Sequence, residues 1–286
     1  MTVQHQMEQG EKPILCSEQE VQVARYRLTC KTLPRLEDTI RIGNLFRLAL
    51  MSLGPDRVPQ VLSGKDERGC PLQEGHQHSL FLPEDADGDN HIDHLLFYSP
   101  LPVSKEVLQS LCGLRGLCTS GSFNPRKARM RGDVSGAYDV RRWPVTLERI
   151  GTRRDIGNET ALLQTSHAWV SCTPYYHPWF RKKHGKFGPI DQLRHEARLR
   201  GLPEIVSAEV LADGWHTLNH SGIGAKASEQ PYPFGFELVR SGRSSKERIP
   251  DRFGQYMRIT FAEPITGPVV FGYGSHYGLG LFRPAL

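Results

Sequence analysis

The stretch VQVARYRLTCKTLPRLEDTIRIGNLFRLALMSLGP, residues 21–55, predicts how the fold begins. Residues 21–31 alternate in polarity and are rich in β-forming side chains, which is typical of a strand. The apolar residues that follow have the spacing of one helical face: Ile42, Leu45, Phe46, Ala49, Leu50 and Leu53. Gly54 and Pro55 then supply a stop signal. The stretch therefore predicts a strand followed by an amphipathic helix.

Further β-like and helical runs extend this pattern. Strands are predicted at 78–82 and 92–98, a helix after the N-cap residue Ser104, and a fourth strand within 130–150. After a linker at 151–159, strands are predicted at 167–172, 204–212, 234–240, 256–261 and 268–274, with a helix at 189–199. The β-α-β-β-α order predicts an α+β protein of two tandem ferredoxin-like (RRM-like) folds, 21–150 and 160–286, after a flexible tail at 1–20.

Composition narrows the class of protein. The 286 residues are 38% hydrophobic with a mean hydropathy of −0.44, which fits a core-forming protein. No stretch approaches the ~20 apolar residues of a membrane helix, and the start lacks a secretion-signal pattern. The six cysteines are scattered and form no C-x-x-C pair, which favours reduced thiols and argues against a cysteine zinc site. We expect a cytoplasmic protein without a membrane partner.

Basic residues form local clusters on a chain whose net charge is only +5. The clusters are Arg126, Lys127, Arg129 and Arg131; then Arg181, Lys182, Lys183, His184 and Lys186; and finally Arg240, Arg243, Lys246, Arg248 and Arg252. Arg194 and Arg198 add a basic face to the predicted helix. Solvated surface explains any single cluster, but several together indicate contact with a phosphate backbone. The aromatic run before the second cluster, Tyr175, Tyr176, Trp179 and Phe180, is suited to stacking on unpaired bases.

The segment EGHQHSLFLPEDADGDNHIDHLLFY, residues 74–98, contains histidines and acidic residues that permit three interpretations. The first is a calcium loop at Asp85–Asp93, but an EF-hand needs Glu where Leu96 stands, and the flanks read as strands. The second is a zinc site of His76 and His78 with His91 or His94. The third is metal-free RNA cleavage by His76 and His78, which as i and i+2 residues of a strand lie about 7 Å apart on one face. We rank the third first and treat the acidic part as a hairpin turn.

The C-terminal run GYGSHYGLGLFRP, residues 272–284, contains four glycines within nine positions. Such a loop can present backbone N–H groups to phosphates, but no lysine follows in the pattern of a nucleotide P-loop. We predict that Gly274, His276, Gly278 and Gly280 face RNA. His276 is also a candidate for proton transfer, as is His94.

The ending GPVVFGYGSHYGLGLFRP resembles the glycine-rich loop of CRISPR-associated RAMP-superfamily proteins. LSGKDERGCPLQEGHQHSLFLPEDADGDNHIDHLLFYSP, SCTPYYHPWFRKKHGK, DQLRHEARLRGLP and YMRITFAEPITGP are more narrowly similar to the pre-crRNA-processing endoribonuclease of type I-G (I-U) systems. This resemblance implies two RAMP folds and metal-independent cleavage of CRISPR repeat RNA without a cofactor. It also implies other subunits of a type I Cascade-like complex as partners. In many relatives the nuclease is fused to a half that caps the 5′ handle, and we expect this chain to lack that half.

Two alternatives to this function stay open. The chain can hold the repeat RNA as a non-catalytic subunit of an effector complex, or it can cut with a metal bound at Asp85–Asp93. Incubation of repeat RNA with the protein in EDTA separates the three.

Overall fold

The computed structural model describes residues 14–15, 20–55, 57–66, 68–70, 78–118, 142–179, 187–211, 230–239 and 253–285. These residues form a mixed α+β structure with two largely antiparallel sheets and a few helices. The N-terminal elements are β1 (Ile14–Leu15), β2 (Val23–Leu28), α1 (Thr39–Leu53), α2 (Gln60–Ser63), β3 (Leu80–Glu84), β4 (His94–Tyr98), α3 (Lys105–Gly113), β5 (Gly116–Cys118) and β6 (Arg142–Gly151). The C-terminal elements are α4 (Arg153–Ile156), β7 (Thr165–Ser171), α5 (Pro189–Leu199), β8 (Ile205–Val210), β9 (Met257–Thr266), β10 (Val269–Val270) and β11 (Leu281–Pro284).

The N-terminal sheet has the order β1-β6-β2-β4-β3, with β5 paired to β6 and a single parallel pair between β1 and β6. The C-terminal sheet has the order β10-β11-β7-β9-β8 and is antiparallel throughout. If the four main strands of each half are numbered in chain order, their spatial order across the sheet is fourth, first, third, second. This order is compatible with two tandem ferredoxin-like units.

The opening stretch forms the elements that its periodicity predicts. β2 places Ala24, Tyr26 and Leu28 in the same core cluster as α1, while Val23 faces the other way. Helix α1 ends at Leu53, directly before Gly54. The Tyr26 hydroxyl donates to the carbonyl of Leu111 at the end of α3, so both helices cover this face of the sheet. Burial raises the pKa of the Tyr26 phenol well above its usual value, which keeps it a neutral donor.

The opposite face of the N-terminal sheet packs against the C-terminal half. Its apolar cluster joins residues of β2, β3 and β4 to residues of the 161–163 turn, β10 and β11: Val23, Leu82, Leu96, Leu162, Leu163, Val270 and Leu281. Arg25 lies at the polar end of this contact, 3.0 Å from Glu84, and the Thr160 hydroxyl donates to the same carboxylate. The two halves are therefore joined by an apolar layer and by the Thr160–Glu84 hydrogen bond, beside which the buried Arg25–Glu84 ion pair links β2 to β3 within the N-terminal half.

Two expectations differ from the structure. The predicted linker at 151–159 holds the last residue of β6 and the short helix α4, which Thr152 and Asp155 cap reciprocally. The predicted strand at 234–240 forms no strand within 234–239; instead Phe236 and Leu238 pack into the N-terminal core. The alternating pattern there reflects an extended chain on an apolar surface, and Glu237 N–H donates to the carbonyl of Glu37.

None of the helices in the described part of the chain is long and apolar enough to span a membrane. The predicted tail at 1–20 lies outside the described residues except for 14–15 and 20.

Candidate active site

Two of the predicted histidines meet between the halves. His78 lies two residues before β3, and His276 lies in the 3₁₀ turn Ser275–Tyr277 of the glycine-rich loop. Their ring centroids are 5.4 Å apart with an interplanar angle of 63°, which is an edge-to-face contact. Both line a cleft, here called the histidine cleft, whose other lining residues are Leu80, Tyr98, Pro100, Arg200, Leu202, Ile265, Thr266, Pro268, Val269, Val270 and Ser275.

The glycine-rich loop reaches His78 because two glycines bracket its 3₁₀ turn. Gly274 and Gly278 have φ of 71° and 90°, the left-handed region that glycine adopts without a Cβ clash. Between them, Tyr277 stacks on Phe81 of β3 at a centroid distance of 6.5 Å and 21°. A Cβ at Gly43 of α1 would lie 2.7 Å from the carbonyl oxygens of both Phe81 and Tyr277. The loop is thus seated closely against α1 and β3, which fixes His276 beside His78.

Helix α5 holds the start of the loop. The Glu196 carboxylate accepts the Gly272 N–H at 2.9 and 3.1 Å, and Arg200 donates to the Val270 carbonyl at 2.5 Å. Glu196 and Arg200 also form an ion pair one helical turn apart, and Arg200 lies 5.2 Å from the centre of the Phe271 ring. Burial raises the pKa of Glu196, and Arg200 opposes that shift. These two side chains position the backbone on both sides of residue 271.

Neither Glu196 nor Arg200 is among the residues predicted to be functional from the sequence. In the sequence, a Glu and an Arg at i and i+4 on a helix resemble an ordinary exposed ion pair. What distinguishes this pair is the low exposure of its side chains, which only the folded structure shows.

The histidine cleft brings two imidazoles together beside one cation. Imidazole accepts or donates a proton near neutral pH, so the pair can act as a general base and a general acid. Among the cleft-lining residues, Arg200 is the one arginine or lysine, and its charge is paired with Glu196. Within the described residues, the His pair does not belong to a cluster of three groups with metal-ligand spacing.

The acidic turn forms such a cluster but is organised around its own backbone. One oxygen each of Asp85, Asp87 and Asp89 lie within 4.8 Å of one another. The Asp85 carboxylate, however, accepts the N–H groups of Gly88, Asp89 and Asn90 at 2.7, 3.2 and 2.9 Å. Burial raises the pKa of Asp85 to about 6. The turn connects β3 and β4, so the flanks are strands as predicted, and the hydrogen bonds explain the acidic residues without an ion.

The other histidine candidates are placed differently. His94 begins β4 and lies 3.3 Å from Glu148 of β6, and it is not among the residues that line the histidine cleft. His76, predicted as the catalytic partner of His78, lies outside the described residues.

Several predicted RNA-binding residues also lie outside the described residues: Arg126, Lys127, Arg129, Arg131, Arg181, Lys182, Lys183 and His184. Arg194 and Arg198 are exposed on α5, as a phosphate contact requires. Trp179 is 37% exposed, and its ring centroid is 5.3 Å from that of His195.

Tyr175 and Tyr176 correct the expectation of base stacking. They are 0% and 1% exposed, because Tyr175 bridges Gln255 through the backbone and the Tyr176 hydroxyl donates to the Pro233 carbonyl. In the run before the second basic cluster, Trp179 retains the exposure that stacking requires.

Gly278 and Gly280 also correct an expectation. Both are buried, and their N–H groups donate to the carbonyls of Ser275 and Pro174, so they are not directed at a phosphate. A Cβ at Gly280 would lie 1.9 Å from the Phe271 carbonyl oxygen. Gly274 and His276 are partly exposed, and His276 lines the cleft beside Ser275.

No protein-family model matches the chain, and no curated protein is significantly similar to it.

Proposed function

We propose that the protein is a metal-independent endoribonuclease that cuts CRISPR precursor RNA within the repeat, with His78 and His276 as the proton-transfer pair. The observation that carries the proposal is the contact between these two rings in one cleft. The substrate class rests on the resemblance of the sequence motifs. The strand order of the two sheets supports the finer interpretation of two ferredoxin-like (RAMP) folds.

The chemistry requires no cofactor. One imidazole removes the proton of the 2′-OH beside the scissile phosphate, the 2′-oxygen attacks phosphorus, and the other imidazole protonates the departing 5′-oxygen. The products are a 2′,3′-cyclic phosphate and a 5′-OH. Rings in contact at 5.4 Å leave no room for a phosphate between them, so the phosphate would have to reach both rings from the cleft that they line. His76, two residues before His78, is a further candidate in the same role.

The test is cleavage of repeat RNA in EDTA. We expect cutting to a cyclic phosphate, and a loss of about 10²–10⁴-fold in the cleavage rate for His78→Ala and for His276→Ala, with RNA binding retained. His91→Ala is the matched control, because His91 lies in the acidic turn with 46% of its side chain exposed. Cleavage at the parent rate by both cleft variants would refute the assignment of the pair.

One observation favours the alternative of a non-catalytic RNA-binding subunit. The phosphorane-like transition state gains from a nearby positive charge, and the cleft's arginine is already paired with Glu196. Tight binding of repeat RNA without cleavage, with or without divalent metal, would support that alternative. Cleavage only after metal is added would instead support a metal site at Asp85–Asp93. Other subunits of a Cascade-like complex remain proposed partners in either case.

A further inference from the structure

A second group of rings lies beside α5, outside the histidine cleft. Trp179, Phe187 and His195 contact one another, with ring centroids 5.3 Å apart for Trp179–His195, 5.7 Å for Phe187–His195 and 6.1 Å for Trp179–Phe187. His195 belongs to α5, whereas the other two residues precede the helix in the chain. None of the three lines the histidine cleft, and Trp179 is 37% exposed. These three residues are called the ring cluster below.

A buried glutamine of α5 holds the backbone of the ring cluster. Gln192, which is 0% exposed, accepts the Trp179 N–H at 3.0 Å through Oε1 and donates to the Phe187 carbonyl at 3.1 Å through Nε2. A single side-chain amide on α5 therefore fixes the backbone of two rings that are far from each other along the chain.

The backbone at Phe187 has a conformation that a bulky residue seldom adopts. Its φ is 61°, in the left-handed region that favours glycine. Such conformations persist where the surrounding structure imposes them, and here Gln192 holds the Phe187 carbonyl while the next N–H, that of Gly188, donates to the Asp191 carboxylate at 3.0 Å. In this conformation the Phe187 ring contacts both other rings. Rings that are held in this way lose little conformational freedom when a flat ligand stacks on them.

Exposed arginines accompany the ring cluster on α5. Arg198 lies three residues after His195, the spacing of neighbours on a helix surface, and Arg194 lies one turn before Arg198. Both arginines are exposed, and neither forms an ion pair with a described residue. The acidic residues of the helix are engaged elsewhere, because Asp191 caps its start and Glu196 pairs with the arginine that follows its end. The positive charge beside the ring cluster is therefore not compensated by α5.

We propose that the ring cluster binds single-stranded RNA, with Trp179 stacking on an unpaired base and with Arg194 and Arg198 contacting the adjoining phosphates. An exposed ring with nearby cations is the combination that single-stranded nucleic acid requires, since every base has a face to stack and every linkage a charge. An acidic peptide would pair with the arginines but has no base to place on the indole. The inference rests on the proposed function in that the ligand is RNA, and it adds a site outside the cleft.

Helix α5 also connects the ring cluster to the histidine cleft. Arg200, which lines the cleft, follows His195 by five residues, or roughly 8 Å along the helix axis. We therefore expect one RNA strand to contact both sites.

Stacking is tested with a single-stranded RNA that carries one 2-aminopurine, whose fluorescence falls when it stacks, and 2′-O-methyl groups, which prevent cleavage by 2′-OH attack. We expect quenching on binding, and a loss of at least about fivefold in affinity for Trp179→Leu, the lower end for one base–ring stack. Trp179→Phe keeps a ring and should retain the affinity. Phe234→Leu is the matched control, because Phe234 is 59% exposed and its neighbour Gly235 lies beside Glu37 of the N-terminal half.

The arginines are tested by the salt dependence of binding to the same probe. The slope of log K against log salt concentration should become shallower by about 0.7 for each phosphate contact that is lost, and Arg194→Gln combined with Arg198→Gln removes two. The matched control is Arg149→Gln combined with Arg258→Gln. It removes the same charge from side chains that are 39% and 40% exposed and already paired with carboxylates, so the slope should stay that of the parent.

The outcomes separate this proposal from the proposed function. If the parent does not cut repeat RNA but Trp179→Leu loses affinity for the probe, the endoribonuclease proposal fails and the RNA site stands. If the parent cuts repeat RNA and Trp179→Leu binds the probe like the parent, the RNA site is overturned alone. A double-arginine variant with the parent's salt slope also overturns it, and this arm stays decisive if Trp179→Leu does not fold, because both arginines are exposed. Loss of affinity for a polyglutamate peptide but not for RNA would overturn it and assign the surface to an acidic protein.

Discussion

At Gly43 of α1, the backbones of β3 and the glycine-rich loop both lie in close contact with the helix. A Cβ there would meet the carbonyl oxygen of Phe81 at 2.7 Å, and the carbonyl oxygen and Cα of Tyr277 at 2.7 and 2.9 Å. Phe81 belongs to β3, which follows His78, and Tyr277 follows His276. Gly43→Ala therefore tests whether the close packing of three elements determines the position of the histidine pair.

The expected magnitude follows from two opposing effects. All three clashing atoms belong to the backbone, so no side-chain rotation relieves them, and the cost of overpacking should approach the upper end of the ordinary range, about 3 kcal/mol. Replacing glycine by alanine inside a helix returns about 1 kcal/mol. The net loss is about 2 kcal/mol of the free energy of unfolding, which lowers Tm by roughly 4–8 °C.

Urea denaturation and thermal melts of the Gly43→Ala variant, compared with those of the Gly113→Ala variant, measure this loss of stability. Gly113 ends α3, and a Cβ there would meet only the Leu53 side chain at 3.9 Å, so its alanine should be neutral or stabilising by about 0.5–1 kcal/mol. Equal stabilities of the two variants would refute the reasoning. If repeat RNA is cut, Gly43→Ala should also slow cleavage more than Gly113→Ala does, because it separates β3 from the glycine-rich loop.

Three further predictions concern buried charges. Arg25→Met leaves the Glu84 side chain, which is about 7% exposed, without its closest cation, and urea denaturation should show a loss of about 3–5 kcal/mol in the free energy of unfolding. Arg27→Met should cost less than about 1 kcal/mol, because the Arg27 side chain is 59% exposed. Similar losses in the two variants would contradict the buried ion pair. Glu196→Gln leaves Arg200 with an uncompensated charge and should cost about 3–5 kcal/mol, and a variant as stable as the parent would show that the pair does not hold the loop. Because burial raises the pKa of Asp85 from 3.8 to about 6, the folded state binds this proton more tightly than the unfolded state. The stability that Asp85 contributes is therefore full below about pH 4 and is lost as the pH rises through 6. The difference in the free energy of unfolding between the parent and Asp85→Asn should accordingly fall between pH 4 and 7. A difference that stays constant with pH would exclude this linkage.

Local patterns in the sequence were sufficient to predict most of the elements. The helical spacing from Ile42 to Leu50 and the stop at Gly54 predict α1, and the helix at 189–199 is confirmed to the residue. The acidic run between two β-like segments predicts a hairpin turn, and the hydrogen bonds of the Asp85 carboxylate confirm it. Such features depend on neighbours within a few residues, so their physical cause is contained in the local sequence.

The candidate site depends on contacts that no local pattern contains. His78 and His276 come from different halves of the chain, and the docking of the glycine-rich loop on α1 and β3 brings their rings together. Tyr175 and Tyr176, which the sequence suggested for base stacking, are buried in the two cores, whereas Phe234 and Phe253 are exposed. Periodicity specifies which face of an element is apolar, but the surface that this face meets is set by the packing of both sheets. The sequence alone therefore determined elements such as α1, α5 and the turn between β3 and β4, whereas the tertiary structure decided which histidines are paired and which aromatic rings are exposed.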